Sequence, residues 1–505
     1  MHAPYERWKN ELAFWVASLG LAYIFFYLTT HRRPQLTIVV AVGFVVTGYL
    51  FSLVLKQAKW ALYAIFFVFP FYPFIRVQLL RFEVVGETVM FFISRWTEAV
   101  MIMALLGRKW GGVKRVFYSA PLLDFLTTAF ILYGLGHLFY AIEQGNWMMG
   151  LWGMKEDFLF YVYYFLVRFV PLDKRDFKRF IAISAPIAAG IALFGIVQSQ
   201  FFGEDFLLKL GYGVELKGTG ITYLTHVHQR GDIHGTGGFI RAISILQDPL
   251  SLAAYLMMFS LILQPFYFLP PSAGYRHLKT LLYLVILAGM FFTTTRSAWL
   301  GTALGVFLIA WRTKRLLVTL GTFSLLAIVG LSILLMLPGG RQFLIGTFTL
   351  EEGSAFAHYS KYAWHFGSML RHPMGMGLGM AGRIATQFGA QALGGYHTEC
   401  WYLQIGGEMG IPAFLLYISI VLETMRKLFS LTRTLIDPFL NAAATGIFAA
   451  YTALAVFGIF LNVWTCHLVP VFMHLFVGIA LFHFPALDRQ YRQGYISLPP
   501  DMPRA

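Results

Sequence analysis

Long apolar runs recur from one end of this chain to the other, and they restrict its fold more than any other feature. Runs of roughly 16 to 25 apolar residues cross about 30 Å of hydrocarbon as helices, at about 1.5 Å per residue. The composition agrees, since 58% of the 505 residues are hydrophobic and only 12% are charged. We therefore predict an all-α, polytopic integral membrane protein without a separate soluble domain.

About fourteen transmembrane helices are predicted. They lie near residues 11–30, 35–55, 60–75, 87–106, 117–142, 155–172, 180–202, 243–268, 279–294, 297–311, 316–337, 399–424, 438–464 and 468–485. The most basic short connections are residues 108–115, 173–179, 312–315 and 425–433, and these spans put all four on one side. By the positive-inside rule that side is cytoplasmic, and both termini join it.

The formal net charge of +15 would suggest a nucleic-acid partner in a soluble protein. Here most Lys and Arg residues lie in short loops beside apolar runs, where they set orientation, so we predict no nucleic-acid binding. The two cysteines, Cys400 and Cys466, are too few for a disulfide framework and too far apart in sequence for a local metal site. A bridge between them would need Cα atoms within about 7 Å.

Residues 279–311 have to turn once within the membrane. Basic residues flank both ends of this segment, and a single span cannot place both ends on the cytoplasmic side. The turn is predicted at Thr293 to Ser297, which puts Arg296 near lipid phosphate level at the outer face. An unpaired guanidinium there is costly, so we expect Arg296 to have a functional partner.

Two long loops remain on the predicted outer side. The first delivers Arg241 to the start of the next helix, and the second combines a helical stretch at 354–371 with a flexible glycine run, Gly375 to Gly382. The two halves of the chain lack the matched broken spans of inverted-repeat transporters. The regions are N-terminal helices 1–202, first periplasmic loop 203–242, central helices 243–337, large periplasmic loop 338–398, C-terminal helices 399–485 and a cytoplasmic tail 486–505.

The outer face is rich in His and Arg but poor in paired carboxylates. A glycosidase needs two acids across the scissile bond, and neither Glu204-Asp205 nor Glu351-Glu352 is placed to provide them. There is no Asp-x-Asp and no Walker-type loop. Guanidinium groups bind oxyanions, and imidazoles accept protons near neutral pH. This set suits a donor with a diphosphate leaving group, and it requires no ATP, metal or cofactor.

Each candidate also has a structural interpretation. Arg241 and Arg296 would equally serve as headgroup anchors, and His397 as a loop-packing residue. The spacing of His226, His228 and His234 invites a metal site, but ordinary polar loop residues explain it better. In the functional interpretation, His397 activates an acceptor hydroxyl while Arg241 and Arg296 bind the departing diphosphate.

Four motifs resemble one family. His397 followed by Tyr402-Leu403-Gln404 and Glu408-x-Gly410-Ile411 resembles the signature after the large periplasmic loop in the O-antigen ligase and Wzy-type polysaccharide polymerase superfamily. The other three matches are the glycine-rich stretch 372–379, the Ser/Thr-Arg turn Thr295-Arg296-Ser297, and the stretch from Arg241 through Asp248-Pro249. They occur in the family's order over roughly residues 240 to 425.

The resemblance implies a membrane glycosyltransferase of GT-C-like architecture, acting on an undecaprenyl-diphosphate donor at the periplasmic face. His397 would be the base, and Arg241 and Arg296 would bind the diphosphate. The supporting positions would be His358, Lys361, Glu399, Tyr402, Gln404 and Glu408. This chain departs from the family at Thr398, at Glu399, and at the start of the loop helix, where His358 and Lys361 replace an Arg that is common in relatives.

Our leading hypothesis is a polymerase or ligase of the bacterial inner membrane that joins lipid-linked oligosaccharide units to a glycan or a lipid A-core type acceptor. Membrane lipids and other polysaccharide-assembly proteins would be its partners. The alternative is a polysaccharide or lipid exporter, which would need charges lining a cavity in mid-span. The main candidates for such charges are Arg95, Glu98 and Asp124.

Overall fold

The computed structural model describes residues 53–81, 96–106, 120–202, 241–246, 248–269, 276–317, 353–388, 398–466 and 468–496, with isolated residues between them. This part of the chain is almost entirely helical, as predicted. Its one sheet is a two-stranded hairpin in which β1 (Glu215–Leu216) pairs antiparallel with β2 (Ile221–Thr222). Most of the predicted spans at 11–30, 35–55 and 316–337 lie outside the described residues.

The chain forms two compact units, the first made of Met1–Val116 and Leu166–Ile183 and the second of Phe117–Phe165 and Ser184–Ala505. The described helices of the first unit are α1 (Lys59–Val68), α2 (Tyr72–Arg81) and α3 (Trp96–Leu106). A short 3-10 turn that contains Pro70 separates α1 from α2, because proline at this point has no N–H for a continuous helix.

The core of the first unit joins α1 to residues 174–183. Phe66 stacks on Phe180 with ring centroids 4.7 Å apart. Beside this pair the buried carboxylate of Asp176 accepts a hydrogen bond of 2.8 Å from the Tyr63 hydroxyl and lies 3.4 Å from the Lys59 ammonium. A buried charge with both an ionic partner and a hydroxyl donor is stable, whereas an unpaired one is not.

The second unit contains most of the helices. They are α4 (Pro121–Glu143), α5 (Trp147–Val167), α6 (Lys174–Val197), α7 (Pro249–Leu263), α8 (Arg276–Phe292), α9 (Arg296–Thr313), α10 (Gly353–Arg371), α11 (Gly382–Gln387), α12 (Trp401–Thr434), α13 (Pro438–Phe460) and α14 (Leu468–Ile496), with the ends of α5 and α6 shared with the first unit. The helical stretch predicted at 354–371 is confirmed by α10.

Helix α13 lies at the centre of this unit and packs on α7, α9 and α12. Small residues allow this close packing: a Cβ added to Gly446 would lie 2.6 Å from the Ile262 carbonyl oxygen of α7. In a membrane, where lipid is as apolar as the core, such close contacts between backbones hold helices together. The bundle therefore fixes the positions of α7, α9 and α12.

Seven helices of the described residues are long and apolar enough to cross a membrane. They are Lys59–Gln78, Pro121–Glu143, Lys174–Phe202, Pro249–Phe268, Trp401–Thr434, Pro438–Phe460 and Leu468–Gln493. The total of about fourteen spans and the GT-C-like architecture stay predictions. The predicted turn after residue 292 is confirmed, since α8 ends at Phe292 and α9 begins at Arg296.

Helix α5 differs from the sequence prediction. The span was placed at 155–172, but the helix begins at Trp147 and ends at Val167. Its charged triplet Lys155-Glu156-Asp157 therefore lies within the helix, and the two carboxylates are buried against the rest of the second unit. This shift places two acids inside the second unit, near the start of α12.

Candidate active site

Helix α12 is broken near its start. Gly410 has φ +79°, outside the helical region, and Pro412 has no N–H to donate back to the Glu408 carbonyl. The break leaves the carbonyls of Gly407 and Glu408 and the N–H of Ile411 without partners in their own helix. A second segment of the chain has to supply these partners.

That second segment is the glycine segment, residues 372–382, which connects α10 to α11. Met376 and Gly377 donate their N–H groups to the carbonyls of Gly407 and Glu408, both at 2.9 Å, and the Ile411 N–H donates to the Pro373 carbonyl at 2.9 Å. Four glycines of the segment have positive φ, namely Gly375, Gly377, Gly379 and Gly382. The segment thus completes the interrupted hydrogen bonding of α12.

The Glu408 side chain also holds the glycine segment in place by hydrogen bonds. Its carboxylate oxygens accept hydrogen bonds from the Gly379 N–H at 2.8 Å and the Ala381 N–H at 3.3 Å, and the residue is fully buried. Two backbone N–H donors replace much of the hydration that the carboxylate loses on burial. Glu408 is therefore a positioning residue for the glycine segment.

Gln404 lies one turn before Glu408 and links α12 to two other elements. Its amide donates to the Asp157 carboxylate of α5 at 3.2 Å and accepts from the side-chain amide of Asn462. Asp157 and Glu408 are both fully buried. Gln404, Asp157 and Asn462 are joined by hydrogen bonds, and Glu408 lies one turn further along α12.

Glu156, next to Asp157, is buried as well, and its charged neighbour is Arg383 of α11. The Arg383 Nε lies 3.9 Å from a Glu156 carboxylate oxygen, and the Arg383 side chain is 42% exposed. The candidate site predicted from the sequence does not include Glu156, Asp157 or Arg383. One sequence feature could have indicated this role, namely an acidic pair inside the apolar run 147–167. Because the predicted span begins at residue 155, the pair was expected at a membrane surface.

A second part of the candidate site lies at the turn between α8 and α9. Arg241 donates from Nε to the Thr293 carbonyl and from Nη2 to the Thr295 hydroxyl, both at 2.7 Å. The Ala242 N–H donates to the Phe292 carbonyl at 3.0 Å, so the backbone is joined to the turn too. Arg296 is the first residue of α9, immediately after Thr295. The fold thus brings Arg241 to the turn from which Arg296 extends.

The stretch 398–400 leads into α12 and is held in place by burial. Thr398 is fully buried, and its hydroxyl accepts from the Cys400 N–H at 3.2 Å. Both cysteines are free thiols, and burial raises the pKa of Cys400 and of Cys466, which keeps them protonated and unreactive. Glu399 lies half-buried between two buried residues.

Tyr402 connects the first turn of α12 to α13. Its hydroxyl donates to the Ala455 carbonyl at 2.8 Å, so this tyrosine has a structural partner.

His397 lies outside the described residues, and so do Arg95 and the side chains of His358 and Lys361, although the latter two positions belong to α10. Asp124, considered above as a transport charge, accepts a hydrogen bond of 2.8 Å from Tyr164.

Comparison with known proteins agrees with this arrangement of helices and motifs. Residues 281–418 match the family model described as O-antigen ligase. The matched segment runs from α8 through the Arg296 turn, α10 and the glycine segment to the first part of α12. No curated protein matches the chain.

These observations describe a multi-pass membrane protein with several apolar helices. Its residues 281–418 are similar to the O-antigen ligase family, so the family resemblance drawn from the motifs is confirmed over this segment. Arg241, Glu156 and Asp157 lie outside the matched segment, and each contacts a residue within it: Arg241 binds Thr293 and Thr295, Glu156 lies near Arg383, and Asp157 accepts from Gln404. The substrates implied by this family are a lipid-linked glycan and an acceptor.

Proposed function

We propose that this protein transfers glycan from an undecaprenyl-diphosphate donor at the periplasmic face of the bacterial inner membrane, as a polysaccharide polymerase or an O-antigen ligase. One observation carries the proposal more than any other. The Arg241 guanidinium is hydrogen bonded at 2.7 Å to the very turn that precedes Arg296, although more than fifty residues separate the two in the chain.

The turn has the features of a diphosphate site. Arg241 and Arg296 supply two guanidinium groups, which bind phosphate oxygens bidentately. Helix α9 begins here, and the Thr295 hydroxyl accepts from Arg241 and does not cap the helix. In the proposed site the first N–H groups of α9 donate to the bound anion. Two Arg side chains and a helix N-terminus together favour a leaving group with several negative charges.

The proposed reaction is a single displacement at the anomeric carbon of the donor. An acceptor hydroxyl oxygen forms the new bond to that carbon, and the bond from the carbon to the diphosphate oxygen breaks. The electron pair leaves with the lipid diphosphate, which Arg241 and Arg296 stabilise, and the hydroxyl proton passes to His397. His397 directly precedes the fully buried Thr398 in the sequence.

The remaining selected residues would support this reaction from a distance. Glu408 and Gln404 hold the glycine segment and α5 against α12, and Tyr402 holds α12 on α13. We propose that Glu399, His358 and Lys361 contribute charge around the lipid headgroup. The donor arrives already activated, so the proposed reaction requires neither ATP nor a metal ion.

The test uses purified full-length protein with an undecaprenyl-diphosphate oligosaccharide and chelator. We expect longer glycans, or glycan on a lipid A-core acceptor, together with released lipid diphosphate. Which acceptor is elongated distinguishes polymerase from ligase. A deletion strain provides the second measurement, because loss of a transferase leaves single lipid-linked units outside, whereas loss of an exporter leaves them inside. Units retained inside would overturn the proposal in favour of an exporter.

A further inference from the structure

A cavity of about 230 Å³ lies where the C-terminal ends of α9 and α12 meet. Its lining consists of Trp311, Arg312, Lys314, Phe429 and Arg433. Three of these five residues carry a positive charge, and none carries a negative charge. The cavity therefore has the charge of an anion site, and none of its lining residues is among those assigned to glycan transfer above.

Contacts between the two helices fix the shape of this cavity. Arg312 of α9 donates from Nε to the Thr432 hydroxyl of α12 at 3.0 Å and from Nη2 to the Thr432 carbonyl. Trp311 stacks on Phe429 with a centroid distance of 5.7 Å and an interplanar angle of 7°. These contacts use two of the five N–H groups of Arg312 and leave the rest of the guanidinium to the cavity.

The other two cations are differently placed. Arg433 lies over the Phe429 ring at 4.2 Å, which orients its guanidinium against an aromatic face. Lys314 ends α9 in the left-handed conformation, with φ 56° and ψ 27°, and its side chain is exposed. Arg426, seven residues before Arg433 on α12, differs because its Nε and Nη2 donate to the Glu423 carboxylate, at 2.6 and 2.7 Å.

The position along the helices indicates what kind of anion reaches this cavity. The basic connections 312–315 and 425–433 are the ones that the charge pattern assigns to the cytoplasmic side. Trp311 at the end of α9 is 52% exposed, as tryptophans of the membrane interface are. The cytoplasmic leaflet carries anionic lipids, and each Lys or Arg near its surface adds to their attraction.

We propose that this cavity binds the phosphate of an anionic phospholipid headgroup in the cytoplasmic leaflet. The three cations contact the phosphate oxygens, and the exposed Trp311 lies along the glycerol and upper acyl region. The site would tie the ends of α9 and α12 together on the face opposite the proposed reaction. It is independent of the glycan donor, because donor and phosphate would occupy opposite ends of the same helices.

The experiment compares lipid retention by matched variants of the full-length protein. The protein is reconstituted in nanodiscs of equal parts phosphatidylglycerol and phosphatidylcholine, and native mass spectrometry counts the phospholipids that stay bound. We expect the wild type to retain phosphatidylglycerol selectively. The double variant Lys314→Ala with Arg433→Ala should bind it about thirtyfold more weakly, which corresponds to about 2 kcal/mol at 1.4 kcal/mol per tenfold.

The control removes the same charge elsewhere. Arg426→Ala with Arg489→Ala also loses two exposed arginines, one of them already paired with Glu423, and it should retain phosphatidylglycerol as the wild type does. Equal retention by both double variants would overturn the proposal.

Thermal unfolding in detergent distinguishes the two sources of phosphate, a phospholipid headgroup and free inorganic phosphate. If inorganic phosphate raises the unfolding temperature as much as phosphatidylglycerol does, the cavity takes a free anion and the lipid proposal fails.

Discussion

Gly375 and Gly410 meet backbone to backbone, each in the left-handed conformation with φ +86° and +79°. A Cβ on Gly410 would lie 2.2 Å from the Pro373 carbonyl oxygen and 2.7 Å from the Gly375 nitrogen. A Cβ on Gly375 would lie 2.3 Å from the Glu408 carbonyl oxygen. The contact therefore has no room for a side chain on either partner, and it holds the glycine segment on the broken start of α12.

Gly410→Ala is expected to destabilise the protein by about 2 kcal/mol or more, because alanine is strained at this φ and its Cβ overlaps the Pro373 carbonyl. A lower unfolding temperature in detergent would show this. Gly136→Ala is the control, since Gly136 lies within α4 with open space around it. That change should be neutral or slightly stabilising. Equal behaviour of the two variants would contradict the importance of the Gly375 contact.

Glu408→Gln should loosen the glycine segment without changing how the rate depends on pH. Glutamine offers one oxygen where the Gly379 and Ala381 N–H groups need two, and leaving one donor unpaired costs about 1–3 kcal/mol. Hydrogen exchange at residues 379 and 381 should become faster. Glu423→Gln, on the same helix but bonded to Arg426, should leave that exchange unchanged. Loss of one limb of the pH profile would instead make Glu408 an acid or base.

The pair Glu156 and Arg383 should show coupling in a double-mutant cycle. Arg383→Ala leaves a buried carboxylate without its cation, whereas Glu156→Gln removes the charge that needed one. Because the Arg383 side chain is 42% exposed, solvent weakens the pair, and we expect a coupling of about 1 kcal/mol in unfolding free energy. Additive effects of the two changes would mean that the contact contributes nothing.

Arg241→Ala and Arg296→Ala should each lower turnover by roughly thirtyfold to a thousandfold, the effect of about 2 to 4 kcal/mol of lost transition-state stabilisation. Lysine should restore only part of the rate, because its ammonium keeps the charge but lacks the planar fork through which Arg241 donates to the turn from two nitrogens. Thr295→Val tests positioning, as it removes the acceptor for Arg241 Nη2 and keeps both charges. Full activity of both alanine variants would exclude the diphosphate role.

His397→Ala should reduce turnover by about a hundredfold or more, while donor binding stays largely intact. Single-turnover rates and equilibrium binding of the lipid-linked donor separate the two effects. If binding is lost and the rate per bound donor is normal, His397 is a diphosphate ligand. In that case His358 or His365 becomes the better candidate for the base.

The sequence was most informative where charge and hydrophobic length act locally. The turn before Arg296 followed from basic residues on both sides of an apolar segment too long for one span, and it is present. The convergence of Arg241 on that turn came from a family resemblance, because no local pattern relates positions so far apart in the chain.

The sequence was less informative where backbone meets backbone. The glycine run reads as flexible, whereas in the structure Gly375 is required by close contact with Gly410, and such contact leaves no periodic signal. The buried acids Glu156 and Asp157 were missed for a related reason. Charged residues usually mark a membrane surface, and only tertiary packing reveals that α5 buries them beside Gln404 and Glu408.

The glycine segment is attached to α12 by peptide groups and by Glu408, and its Leu378 and Met380 side chains are buried. Met374 is 62% exposed, and Met376 is half-buried. Methionine is flexible and adapts to many surfaces. The exposed Met374 can therefore be replaced at little cost to the fold, whereas burial restricts the choice of side chain at positions 378 and 380.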